Sequence, residues 1–313
     1  MSKLANTTLD APLVAPAEGQ PTAFHWSLIL ILSLLWGSSF ILMKFGLTAF
    51  NFTQVASWRI FLAFLVLSLF WIKIPFKSIT LADWKYILVV AVFGSGLPPF
   101  MFTLAQTHIP SAVAGVLNAL TPLGTIIIGA FLFKNVFNSN QISGVVLGLL
   151  GAALIMFMRA DGNFDGNYLY CLPIVFACIC YGLGANTIKN KLQHLSPITI
   201  TAAAFTIIGP PAGLYLWFSG AITEAITIPA SAQALGYIAI LGILGTALAL
   251  VLFNYLIKSV SALFASSVTY LMPVVSIGWG YYFGESLTWV HGAGMALILL
   301  GVWLTGRKSS SIK

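Results

Sequence analysis

The stretch 112–125, AVAGVLNALTPLGT, recurs in outline at 263–276, LFASSVTYLMPVVS. Shifted by 151 positions, Gly115, Asn118, Pro122 and Thr125 fall on Ser266, Thr269, Pro273 and Ser276. A second shift, of 145, lays Trp36, Gly37 and Lys44 on Tyr181, Gly182 and Lys189. A spaced pattern of small, polar and proline residues, written twice inside apolar stretches, predicts a duplicated membrane unit with its binding site at the seam.

Composition supports the membrane reading. Of the 313 residues 59% are hydrophobic and only 7% charged, with a mean hydropathy of +0.98, whereas an average soluble domain carries about 25% charged residues. The apolar residues come in blocks rather than in period-two alternation, which selects helices over an outer-membrane barrel. Polar punctuation cuts the chain into ten segments: 26–46, 53–73, 84–106, 111–133, 140–158, 168–188, 197–219, 234–257, 261–283 and 287–305. Each has the length needed to cross a hydrocarbon core. The expected fold is an all-α membrane protein of ten transmembrane helices in two five-helix repeats, 26–158 and 168–305. Residues 1–25 and 306–313 are expected to be cytoplasmic tails, the first disordered. The first span starts too late for a cleaved secretory signal and is expected to be retained.

The net charge of +7 is an orientation signal. Lys3, Lys73, Lys77, Lys85, Lys134, Lys189, Lys191, Lys258, Arg307, Lys308 and Lys313 share one side of a ten-span arrangement, against Arg159, Lys44 and Arg59. The positive-inside rule then puts both termini in the cytoplasm and leaves no nucleic-acid role to explain. Cys171, Cys178 and Cys180 sit in the sixth segment as small packing residues, so no metal and no cofactor is expected.

Five spans per half is an odd number, so the second copy enters the membrane upside down. Twelve residues after Pro122 comes Lys134, and twelve after Pro273 comes Glu285. Lysine inside and glutamate outside agree with inverted copies.

The Trp36-Gly37-Ser38-Ser39-Phe40 opening with Lys44, Arg59 early in the second span, the stretch 112–122, and the run from Ala262 through Pro273 to Gly284-Glu285 together resemble the drug/metabolite transporter superfamily, specifically its EamA-type exporters. The resemblance implies inner-membrane export of amino acids and other small metabolites, through ten helices with cytoplasmic termini. Lys134 departs from the family pattern, which usually carries glutamate in the first copy; Glu285 alone keeps it, which favours a structural role for that glutamate.

The two stripes have spacings that keep each set on one helical face. A polar face on a membrane helix must look at protein or water, because an unpaired polar group in hydrocarbon costs several kcal/mol. Asn118, Thr125, Ser266, Thr269 and Ser276, with Thr121 and Asn254 beside them, are therefore candidate cavity residues for a small-molecule substrate. Trp36 and Ser39, matched by Tyr181 and Gly184, form a second stripe that either stacks on an apolar substrate or packs helices. Lys44 and Arg59, near the outer ends of spans one and two, either snorkel to the interface or form an outer vestibule that attracts carboxylates. Pro98, Pro99, Pro122, Pro210, Pro211 and Pro273 are expected to kink their spans. Gly144, Gly148 and Gly151 read as a close-packing face.

No acidic residue lies mid-span, so neither a proton relay nor a sodium site is visible. The expected mechanism is alternating access carrying a neutral or zwitterionic metabolite. A multidrug or nucleotide-sugar carrier is the alternative within transport. An intramembrane lipid-modifying enzyme is the rival outside it, lacking clustered carboxylates, histidines or metal spacing. The oligomeric state is not legible.

Overall fold

The computed structural model describes residues 21–74, 76, 79–134, 139–157, 166–260, 265 and 268–306. The tails 1–20 and 307–313, the loop charges Lys77, Arg159, Asp161 and Asp165, and Ser266 lie outside them. Among the described residues the structure is all helix and turn. Six helical stretches are long and apolar enough to cross a membrane: Ala23–Gly46, Leu81–Gln106, Ser111–Phe133, Leu169–Lys191, Pro197–Phe218 and Pro229–Leu256. Shorter apolar helices cover Phe52–Ser68, Ile142–Ile155 and Trp289–Gly301.

The first half runs α1 (Ala23–Gly46), α2 (Phe52–Ser68), α3 (Leu81–Val89), a π-helical segment (Val90–Gly96), α4 (Leu97–Gln106), α5 (Ser111–Asn118), α6 (Thr121–Phe133) and α7 (Ser139–Phe157). The second half runs α8 (Leu172–Lys191), α9 (Pro197–Phe218), a short α10 (Ala221–Thr227), α11 (Pro229–Gly242), a π-helical segment (Ile243–Leu248), α12 (Ala249–Ser259), α13 (Val268–Tyr282) and α14 (Trp289–Gly306). Two caps start corresponding helices. Asn51 accepts a hydrogen bond from the Gln54 amide at 2.9 Å to open α2, and Ser196 accepts one from the Thr199 amide at 3.2 Å to open α9. Each side chain satisfies an amide that the first helical turn leaves without a partner. The two caps stand 145 residues apart, the shift already seen between Trp36 and Tyr181.

The π segments correspond as well. The shift of 151 carries Gly94-Ser95 onto Gly245-Thr246. In the first segment the following Pro98 and Pro99 have no N–H to offer the carbonyls four residues back, so a wider turn costs nothing there. The second segment is followed by Ala249 and Leu250, so proline is not what maintains the widening. Pro210 and Pro211 behave differently: α9 runs unbroken from Pro197 to Phe218, and both prolines face outward. Gly209 and Gly213 face inward instead, where the rings of Phe64 and Phe61 occupy the space a Cβ would need.

Packing repeats in the same way. A Cβ on Gly37 of α1 would come within 2.5 Å of Val275 Cβ on α13, and one on Gly182 of α8 within 2.5 Å of the Gly124 carbonyl carbon on α6. The shift of 145 carries Gly37 onto Gly182, and the shift of 151 carries Gly124 onto Val275. Thus α1 packs on α13 and α8 on α6, one contact made in both directions between the halves. α7 and α14 close against each other through Gly144, Gly148 and Gly151 on one side and Gly294 and Gly301 on the other. Small residues allow this approach, and in lipid close packing substitutes for the hydrophobic drive that holds soluble cores. Leu34, Leu65, Phe131, Leu150, Trp217, Phe218 and Leu300 are exposed on the outside, as lipid-facing side chains should be.

Candidate functional site

A cavity of about 230 Å³ opens where the two halves meet. Its frame is two aromatic pairs that cross the seam. Trp36 of α1 meets Phe253 of α12 with centroids 5.0 Å apart and planes at 60°. Phe102 of α4 meets Tyr181 of α8 at 6.2 Å and 31°. The shift of 145 relates Trp36 to Tyr181 and that of 151 relates Phe102 to Phe253, so the two pairs are one contact made twice. The Trp36 indole N–H also donates to the Gly245 carbonyl at 2.9 Å, tying α1 to the second π segment. A π turn leaves carbonyls out of register with the helical ladder, and here a side chain from the other half takes one up.

The polar wall comes from the break between α5 and α6. α5 ends at Asn118 and α6 begins at Thr121, followed by Pro122. Pro122 has no N–H for the Asn118 carbonyl, and the Thr121 hydroxyl donates to that oxygen instead, at 2.8 Å. Asn186 of α8 donates to the Thr125 carbonyl at 2.8 Å. Asn118 is only 8% exposed, yet among the described residues its amide meets the Met272 sulfur at 3.8 Å and the Thr121 hydroxyl at 3.4 Å, and no closer partner. Thioether sulfur is a weak acceptor. Asn118 therefore keeps hydrogen-bonding capacity facing the cavity.

Of the residues expected to line a pathway, Trp36, Ser39, Asn118, Thr121, Thr125, Tyr181, Asn254 and Thr269 all face this cavity. Asn254 donates to the Thr201 hydroxyl at 3.1 Å. Ser276 does not face the cavity: it is 1% exposed, donates to the Pro273 carbonyl at 3.0 Å and fills the space above Gly115. Pro99 and Pro122 line the cavity, whereas Pro273 lies buried within α13.

The two basic candidates part company. Lys44 donates to the carbonyls of Gln106, at 3.0 Å, and Ile109, at 3.4 Å, and so compensates the negative C-terminal end of α4. Arg59 turns into the cavity. It lies seven residues into α2, about 10 Å along the axis, is 8% exposed and lines the cavity. Its Nε donates to the Thr246 hydroxyl at 2.8 Å, and its Nη1 approaches the Met43 sulfur at 3.7 Å. A hydroxyl and a thioether hold the side chain toward the cavity.

Glu285 holds the start of α5 from the far half, accepting from the Ser111 amide at 2.7 Å and the Ala112 amide at 2.9 Å. A carboxylate at a helix N-terminus satisfies free amides and meets the positive end of the dipole. Its counterpart by sequence, Lys134, ends α6 in the left-handed region at φ 57°. Among the described residues no group of histidine, cysteine, aspartate and glutamate could hold a metal.

The π segments and the Phe102–Phe253 correspondence are not anticipated by the stripes alone. The shift of 151 that aligns Pro122 with Pro273 also aligns Gly94 with Gly245 and Phe102 with Phe253, and that was the available signal.

The chain is similar to known proteins in sequence and in fold. A protein of Archaeoglobus fulgidus named an uncharacterized transporter is 26% identical over 90% of this chain and 99% of its own length. The Escherichia coli protein named uncharacterized inner membrane transporter YedA is 26% identical, with 87% of each chain covered. A Salmonella typhimurium protein named a probable amino-acid metabolite efflux pump is 23% identical over 88% of this chain and 93% of its own. A solved crystal structure shares the fold at a TM-score of 0.60 and 17% identity, over 89% of this chain and 94% of that one. The EamA-like transporter family model matches twice, at residues 25–157 and 169–307. With both halves matched, the chain belongs to the EamA-like transporter family, a branch of the drug/metabolite transporter superfamily.

Proposed function

We propose that the chain is a ten-helix transporter of two inverted repeats, 26–158 and 168–305, with both termini in the cytoplasm. It exports amino acids or similar small neutral or zwitterionic metabolites across the inner membrane by alternating access. The observation that carries this reading is the cavity at the seam, framed by one aromatic contact made twice, Trp36–Phe253 and Phe102–Tyr181. A site on a pseudo-two-fold axis is offered to either side of the membrane by rocking one half against the other. The π segments beside the cavity supply places where spans three and eight can bend, since such turns already carry a broken ladder.

Cavity size separates the candidate cargoes. Pockets that hold drug-sized ligands measure roughly 300–1,000 Å³, and a cavity of about 230 Å³ favours a small metabolite over a multidrug or nucleotide-sugar cargo. The names of the Salmonella efflux pump and of YedA support export and an inner-membrane location.

Proteoliposomes of the full chain, offered labelled amino acids and related metabolites with and without a proton gradient, are expected to move at least one of them. A broad panel in which nothing moves contradicts the reading. Cells that overexpress the protein should release the same metabolite, which fixes direction.

A further inference from the structure

We infer that Arg59 is the anion-binding subsite of the cavity and that the cargo carries a single carboxylate on an apolar remainder, its amino group being tolerated and not required. This rests on the reading of the cavity as the cargo site.

The guanidinium has five N–H donors. Among the described residues, Nε meets the Thr246 hydroxyl and one Nη1 donor meets the weakly accepting Met43 sulfur. Thr246 spends its own proton on the Leu241 carbonyl at 3.0 Å, so toward Arg59 it is purely an acceptor. The remaining donors, including both on Nη2, have no described protein acceptor, and the side chain lines the cavity.

No described carboxylate neutralises the charge. Glu285 is engaged by the Ser111 and Ala112 amides. Asp83 is engaged by Thr80 and by His194 at 3.1 Å. Glu224 stands on α10, in the connection after α9. A cation buried without a counter-ion is costly, and an ionisable group kept within a membrane helix marks a binding function.

The repeat shows that Arg59 is an addition to the frame. The caps Asn51 and Ser196 fix the correspondence of α2 and α9 at 145 residues, and that shift carries Arg59 onto Ala204. Both positions line the cavity. Packing is met by alanine on one side, so the charge on the other side serves something else. A carboxylate suits the free fork, which can bind it through two parallel bonds. The rest of the described wall offers aromatic faces, Met43 and Met272, with the Asn118 and Asn254 amides and a few threonine and serine hydroxyls. Among the described lining residues no acidic side chain is present to pair with an ammonium. A small metabolite with one carboxylate and a largely apolar remainder, zwitterionic amino acids included, matches this chemistry.

The test compares head groups on one ring. Purified full-length protein is titrated calorimetrically with 3-phenylpropionate, phenylalanine, phenylalaninamide and 2-phenylethylamine, and with 4-methylpentanoate, its amide and inorganic phosphate as a second series. The acids are expected to bind, and the amides and the amine to bind at least about thirtyfold more weakly, as loss of one partner of a buried charge pair predicts. Arg59→Gln should weaken the acids by a similar factor, and Arg59→Lys by less. Equal binding of acid and amide, binding of phosphate but of no organic acid, absence of binding by every acid, or unchanged acid binding in a folded Arg59→Gln protein would each overturn the inference. The head-group comparison needs no variant, so it decides even if Arg59→Gln does not fold. Flux in proteoliposomes is read separately: transport of an uncharged cargo would sink the carboxylate subsite and leave the transporter reading standing.

Discussion

The indole of Trp36 and the ring of Phe253 lie 5.0 Å apart across the seam of the molecule, and the Trp36 N–H donates to the Gly245 carbonyl at 2.9 Å. Trp36 therefore has two separable roles, a ring that borders the cavity and a donor that satisfies a carbonyl of a π turn. Trp36→Phe keeps the first and removes the second. It is expected to lower stability by about 1–2 kcal/mol through the orphaned carbonyl, seen as a reduced melting temperature in detergent, while cargo binding changes less than twofold. Loss of binding with unchanged melting would contradict this division.

The matched glycines predict unequal costs. A Cβ on Gly182 meets backbone atoms of Gly124 and Thr125, whereas a Cβ on Gly37 meets mainly the side chain of Val275. Backbone cannot shift without moving a helix, and overpacking costs about 1–3 kcal/mol or more. Gly182→Ala should therefore destabilise the purified protein more than Gly37→Ala, by thermal unfolding. The reverse order would show that the α8–α6 contact is the softer of the two.

Glu285→Gln tests the clasp on α5. The Ser111 and Ala112 amides bind different carboxylate oxygens, and in glutamine one of these positions becomes an NH2 donor, so in the same side-chain position one amide loses its acceptor. The expected cost is about 1–2 kcal/mol, with faster hydrogen exchange confined to the first turn of α5. Unchanged exchange there would mean that the clasp does not hold the helix start.

Asn118→Ala removes an amide whose partners are a sulfur at 3.8 Å and a hydroxyl at 3.4 Å. Such contacts contribute little, so stability should change by less than about 1 kcal/mol. Transport should fall several-fold, because the cavity loses its free donor and acceptor. A variant that transports normally would remove Asn118 from the cargo's contacts.

How much of this was legible follows from which interactions are local. Blocks of apolar residues place the long helices, because a segment that crosses the hydrocarbon core must keep a continuous apolar run of about 20 residues. The break between Asn118 and Thr121 and the short α10 are finer than hydropathy resolves. Arg59 is the instructive case. Its position in the second span is compatible with snorkelling, and what sends it inward is Thr246, 187 residues away. Likewise Pro98-Pro99 and Pro210-Pro211 look alike in sequence, yet only the first pair follows a π segment; the second faces outward because Gly209 and Gly213 receive Phe64 and Phe61.

The central claim is a cavity at the seam that opens alternately to both sides of the membrane. Thr125 lines it, and the native Cys171, Cys178 and Cys180 are buried and free. With those three replaced by alanine, Thr125→Cys in sealed, oriented vesicles is exposed to a membrane-impermeant thiol reagent from one face at a time. Labelling from both faces, slowed by cargo on either, is the predicted result; labelling from one face only, or from neither, would contradict alternating access.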